Sequence, residues 1–257
     1  MTLLLPGIAP GLAAAYLLTF ARVGTLIMLM PGIGEQTVSP RLRLAFALLV
    51  ALVLFPTVRP LLGGGEAFAG PRLIGLLFGE TLIGLVLGLT VRMVVAALQT
   101  AGLIASQQLG LSYAMTVDPA MGGQQAALGT FLSLLGIALV LATDLHHLAL
   151  EAIGQSYRLL PPDGVPDLGA AAQLALKAMA RGFTLAVQIS APFIAFGILF
   201  NLGLGVLSRM MPQLQVFFLA VPASVLIGML LLAGVLGVIM GVFLDDLGRY
   251  LAMLGGR

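Results

Sequence analysis

Ser106 to Gln125 reads S-Q-Q-L-G-L-S-Y-A-M-T-V-D-P-A-M-G-G-Q-Q, with a long apolar segment on either side. Four glutamines and three glycines (Gly110, Gly122, Gly123) lie in it, and Asp118 is its only formal charge. The stretch is not regular helix throughout. Pro119 disfavours helical geometry at Asp118, and the Gly122-Gly123 pair loosens the backbone. It is also too apolar for a solvated loop, since Leu109, Leu111, Tyr113, Met115, Val117 and Met121 need cover. Broken backbone with bulky uncharged side chains, set between membrane-length helices, belongs where it lines or blocks a cavity.

Composition sets the class. The 257 residues are 60% hydrophobic and 9% charged, with mean hydropathy +1.12. A soluble domain carries roughly 25% charged residues, so the chain is a multi-pass, all-α membrane protein. Net charge is only +2 and no basic run occurs, which argues against nucleic acid as a partner. Cysteine is absent, which removes disulfides, thiolate nucleophiles and thiolate metal sites. The first ten residues, M-T-L-L-L-P-G-I-A-P, carry no basic region, so a cleaved signal peptide is not expected.

Working outward, the apolar segments run from Gly11 to Met30, Leu44 to Phe55, Arg72 to Gln107, Ala126 to Leu160, Ala170 to Ala191, Phe193 to Leu207 and Val216 to Leu244. Ser39 with Pro40 forms an N-cap followed by proline at N1. Leu44 to Phe55 is short for a span, and Pro56 to Pro71 forms a Gly/Pro-rich loop. Arg72 to Gln107 as helix extends about 54 Å, beyond a hydrocarbon core of about 30 Å. Gly75, Gly79, Gly84 and Gly88 make two i,i+4 pairs that suit close helix packing. Pro192 kinks its helix rather than ending it. The tail, D-D-L-G-R-Y-L-A-M-L-G-G-R, is amphipathic and suits an interface or a partner. No strand, second domain or tandem repeat is evident. Loop charges give no orientation, because Arg41 and Arg43 sit in one loop and Arg59 and Arg72 in the next. Segments too short and too long to span, with charges inside them, fit a chain embedded in a larger helical assembly.

Chemistry is sparse. Asp144, His146 and His147 form the best enzyme-like cluster, but adjacent histidines lie about 100° apart on a helix and do not share a face. Helix-end hydrogen bonding is favoured there over a metal or catalytic site. Glu80 and Arg92 could form a relay, or make structural contacts. They are about 18 Å apart on a straight helix and do not pair with each other, and structural contact is favoured. Lys177 and Arg181 share a face suited to a partner. No G-x-S-x-G, H-E-x-x-H or P-loop occurs. No catalytic residue, metal or cofactor is expected.

Four segments carry a family resemblance: F-A-R-V-G-T-L-I-M-L-M-P-G-I-G-E-Q-T-V-S-P-R-L-R-L-A at Phe20 to Ala45, Q-L-G-L-S-Y-A-M-T-V-D-P at Gln108 to Pro119, D-L-H-H-L-A-L-E-A-I-G-Q-S-Y at Asp144 to Tyr157, and R-M-M-P-Q-L-Q-V-F-F-L-A-V-P at Arg209 to Pro222. In this order they resemble the FliR/SctT family of type III export-gate membrane proteins, and the Q-L-G-L-S form favours the flagellar branch. Thr143 and Asp144 depart from the family's commoner asparagine-glycine. The resemblance implies long kinked helices and helical hairpins, with residues 1–257 as one export-gate domain. It also implies a place in the bacterial inner membrane at the flagellar basal body. The implied partners are FliP-like, FliQ-like and FlhB-like membrane subunits, unfolded protein cargo and membrane lipid. By the same resemblance the stretch at about 106–125 is a channel plug, with Gln108, Leu109, Gly110, Leu111, Ser112, Tyr113, Met115, Val117, Asp118, Pro119 and Met121 as its residues. Arg209, Met210, Met211, Pro212 and Gln213 form a hairpin tip at the channel entrance.

Overall fold

The computed structural model describes residues 5–35, 38–62, 71–111, 123–162, 168–211 and 216–254. Among these the chain is all-α, with no strand. Helix α1 spans Leu5–Leu29 and α2 Pro40–Val58, followed by a 3-10 turn at Arg59–Leu61. Helix α3 spans Pro71–Gln108, α4 Gly123–Ala142, α5 Leu145–Leu159, α6 Leu168–Met210 and α7 Val216–Leu254. Among the described residues, five helices are long and apolar enough to cross a membrane, or six if the bent pair α4–α5 counts as one span.

Local chemistry explains several boundaries. The Ser39 hydroxyl accepts from the Leu42 amide at 3.4 Å, and Pro40 opens α2, as the sequence indicated. Apolar residues alone made this segment look short, but the helix begins with Pro40-Arg41 and runs through Pro56 to Val58, so the span reaches Leu61. Proline removes one ladder bond without ending a helix whose flanks stay apolar. Helices α6 and α7 likewise run through Pro192 and Pro222. At 43 and 39 residues they extend about 65 and 58 Å, again longer than a bilayer core.

The segment from Ala126 to Leu160, continuous on its hydropathy, is broken. Helices α4 and α5 meet at 77°, and Asp144 between them takes φ 58°. Among non-glycine residues, Asp and Asn tolerate this left-handed geometry best.

Contacts group the chain into two compact units, one of residues 1–93, 143–179 and 248–257, the other of residues 94–142 and 180–247. In the first, Leu18, Val23 and Ile27 of α1 form a core with Ala47 and Ala51 of α2, Ile83 and Leu87 of α3, and Ile153 and Tyr157 of α5. The Tyr16 hydroxyl donates to the Leu48 carbonyl at 2.9 Å, and its ring meets Phe55 edge-on at 5.8 Å. On α2, Leu42, Leu49, Leu52 and Val53 are exposed; they are left for lipid or neighbouring subunits to cover.

In the second unit α3 and α4 touch backbone to backbone. A Cβ on Gly102 would collide with Gly129, lying 2.6 Å from its amide nitrogen. The Arg181 guanidinium donates to both Asp246 carboxylate oxygens at 2.9 Å. The sequence suggested a partner for Arg181 and an interface or a partner for the C-terminal Asp-Asp segment, yet Arg181 and Asp246 satisfy each other. Both are half-buried or better, and a charge held in a low-dielectric setting takes the opposite charge within reach.

Candidate functional site

Two features stand out: the root of the broken stretch, and a buried polar clamp.

Helix α3 carries the stretch as far as Gln108. The Ser106 hydroxyl donates back to the Gly102 carbonyl at 2.8 Å. The Leu109 amide still reaches Ala105 at 2.9 Å, while the Gly110 amide reaches Gln107 at 3.2 Å. Gly110 takes φ 76°, the left-handed conformation with which helices commonly end. Leu109 is fully buried, and its carbonyl accepts from the Ser224 hydroxyl of α7 at 3.1 Å. A Cβ at Gly228 would overlap the Leu109 methyl, and one at Gly197 of α6 would overlap the Gln108 side-chain oxygen. Leu111, the last residue described here, has 3-10 geometry. Ser112, Tyr113, Met115, Val117, Asp118, Pro119 and Met121 lie outside the described residues. At the other assigned feature, Arg209 and Met210 end α6 and Met211 follows, all three exposed. Pro212 and Gln213 lie outside the described residues.

The four glycines of α3 differ from one another. A Cβ on Gly84 would collide with the Arg22 carbonyl oxygen of α1, and one on Gly88 would come within 2.8 Å of the Leu29 Cβ. Gly79 is buried, and Gly75 is exposed with nothing within 4 Å of an added Cβ. Gly84→Ala should therefore cost about 1–3 kcal/mol through overpacking. Gly75→Ala should be neutral or stabilising by up to about 1 kcal/mol. Heat denaturation of the detergent-solubilised variants measures the contrast, and equal midpoints would contradict this packing.

The clamp centres on Arg22, which is completely buried. Its Nε donates to Glu80 Oε2 at 2.6 Å and one Nη to Glu80 Oε1 at 2.7 Å. The same guanidinium donates to the Ser156 carbonyl at 3.0 Å and the Leu160 carbonyl at 2.9 Å, and to the Ser156 hydroxyl at 3.4 Å. It lies 3.9 Å from the Tyr157 ring centroid, and the Tyr157 hydroxyl donates to the Thr19 carbonyl at 3.3 Å. All five N–H donors of a guanidinium thus have acceptors. The α5 carbonyls are the negative end of a helix dipole, which favours a cation there. Glu80 is saturated by Arg22, an arrangement that holds α1, α3 and α5 together. The sequence missed this pair because its members are 58 residues apart and no motif links them. Arg92, the other member of the suggested relay, is exposed.

Beside the clamp lies a cavity of about 250 Å³, lined by apolar residues including Leu26, Leu87, Ile153 and Leu251, with Ser156 as its hydroxyl. That hydroxyl already donates to the Ile153 carbonyl at 2.7 Å, so the lining has little to offer a polar substrate.

At the α4–α5 break, Asp144, His146 and His147 come together more closely than their spacing implied. Their ligand atoms lie within 4.8 Å of one another, the two imidazole centroids are 4.1 Å apart, and His147 Nδ1 is 3.5 Å from Asp144 Oδ1. At a helix start no preceding turn separates the side chains, and both lean toward the N-terminus. The Asp144 and His147 side chains are largely exposed.

Residues 13–250 match the bacterial export proteins, family 1. The chain is 46% identical over 224 residues to the flagellar biosynthetic protein FliR of Caulobacter vibrioides, covering 84% of this chain and 86% of that protein. It is 33% identical over 230 residues to FliR of Bacillus subtilis, covering 88% and 87%. It is 25% identical over 208 residues to the surface presentation of antigens protein SpaR of Salmonella typhimurium, covering 80% and 76%.

Proposed function

The chain belongs to the bacterial export proteins, family 1, and from that premise we propose that it is a core subunit of the flagellar type III protein export gate. The carrying observation is the match to flagellar relatives along most of its length. The more distant likeness to SpaR makes a virulence-type gate the weaker alternative. Helices longer than a bilayer, and exposed apolar faces such as that of α2, support a place among other helical subunits. We assign FliP-like, FliQ-like and FlhB-like membrane proteins as those partners, with residues 1–257 acting as one gate domain in the bacterial inner membrane. The role is mechanical rather than enzymatic.

In this function the part of the stretch from Leu111 to Met121 plugs the channel. A pore wide enough for an unfolded polypeptide would leak ions when idle. Met115, Met121, Leu111 and Tyr113 supply adaptable apolar bulk that excludes water, and Gly110 and Gly122 supply hinges. Arg209 to Gln213 forms the hairpin tip at the channel entrance.

Tagged chain extracted from its host membrane should bring down two further small helical membrane proteins, and removing its coding sequence should abolish flagellin secretion. Purification as a lone monomer that takes up a small substrate by itself would instead indicate a secondary transporter with broken helices.

A further inference from the structure

Resting on the plug assignment, one part of that stretch separates from the rest. We infer that Gln108 and Leu109 are not part of the channel seal but form a fixed intrachain fastening, with Ser224 and Gly228 of α7 and Gly197 of α6 as its positioning residues.

Leu109 is fully buried within this chain, so it presents no surface to cargo. It occupies the space that any side chain at 228 would need: a Cβ there would lie 3.0 Å from Leu109 Cγ and 3.2 Å from one methyl, and would overlap the other. Ser224 stands one turn before Gly228, so hydroxyl and notch share one face of α7. The Ser224 hydroxyl lies 3.1 Å from the Leu109 carbonyl and 2.9 Å from the Val221 carbonyl of its own helix, so its one proton is shared between the two. On the other side, a Cβ at Gly197 would lie 3.1 Å from the Gln108 Cβ and 3.0 Å from its Cδ. Two glycines on two helices therefore each admit one of two consecutive residues, and Gly110, at φ 76°, turns the chain away immediately after. A leucine knob in a backbone notch, reinforced by a hydrogen bond, is a rigid joint. A seal that must yield to cargo needs adaptable packing instead.

The natural chain has no cysteine, so a Leu109→Cys/Gly228→Cys variant carries one reactive pair. Leu109 Cγ stands where the sulfur would be, 3.0 Å from the Cβ position at 228, and Cβ to the far sulfur of a disulfide spans about 3 Å. Copper-phenanthroline oxidation of membranes holding the assembled gate should cross-link the pair with and without a stalled export substrate. Cells carrying the oxidised variant should secrete flagellin at the undisturbed rate. No cross-link in the assembled gate, or a cross-link that stops secretion, would overturn the fastening. Gly228→Leu alone should lower the yield of assembled gate about tenfold or more, and adding Leu109→Ala should restore it. Absence of that rescue would also count against the fastening. Neither readout depends on the plug, which is tested by the ion leak of a chain lacking residues 111–119, so the two ideas fail separately.

Discussion

Replacing Arg22 with alanine should cost about 3–5 kcal/mol of stability, because it leaves the Glu80 carboxylate buried without its partner. Loss of Arg22 also strips the Ser156 and Leu160 carbonyls and the Tyr157 ring of their donor. Folded domains hold only about 5–15 kcal/mol in reserve, so the variant should fail to accumulate as assembled gate at growth temperature. Unfolding of the detergent-solubilised chain, followed by helicity against denaturant, gives the number directly. The companion variant is Arg22→Met with Glu80→Leu. Removing both charges together removes the unpaired carboxylate, and buried ion pairs replaced by apolar side chains are often neutral in stability. The double variant should therefore recover most of what Arg22→Ala loses and still secrete. If Glu80 were a proton relay, the double variant would fold and yet stop export, and that outcome would remove the structural account of the pair. An Arg22→Ala chain as stable as the natural one would sink the clamp itself.

Deleting Leu111 to Pro119 should turn the idle gate from ion-tight to leaky. The deletion removes Leu111, Tyr113, Met115 and Val117 together with Asp118, the only formal charge between Ser106 and Gln125. An apolar constriction closes a pore by excluding water, and without it ions cross a wetted channel. Expression of the deleted chain should collapse the membrane potential relative to the natural chain, read by a potential-sensitive dye in cells that assemble the gate. Conductance unchanged in those cells would falsify the plug. The deletion leaves Gln108, Leu109 and Gly228 in place, so assembly should survive and isolate the effect to the seal. By contrast, Asp118→Ala should leave the idle seal intact, since the charge hydrates a constriction rather than closing it.

Legibility differed from element to element for physical reasons. The Ser39 cap was readable because a hydroxyl and the amide three residues on are set by local geometry. Helix α3 was readable from a long apolar run punctuated by glycine. The break at Asp144 was not, because hydropathy stays high across it and a left-handed aspartate has no fixed neighbour pattern. The partners of Glu80 and Arg181 were not readable either, since Arg22 lies 58 and Asp246 lies 65 residues away. A charge in an apolar helix announces that it has a partner without saying which one.

Ser106 to Gln125 shows the division most plainly. Composition alone determined that this is an all-α membrane chain, because a long apolar run declares a membrane helix within a few turns. Only the tertiary structure decided that Leu109, near the start of the stretch, packs against α7. Leu109 looks like every other leucine until Gly228, 119 positions later, supplies the missing side chain into whose space it packs. That complementarity of shape is a property of two helices brought together, and no local pattern encodes it.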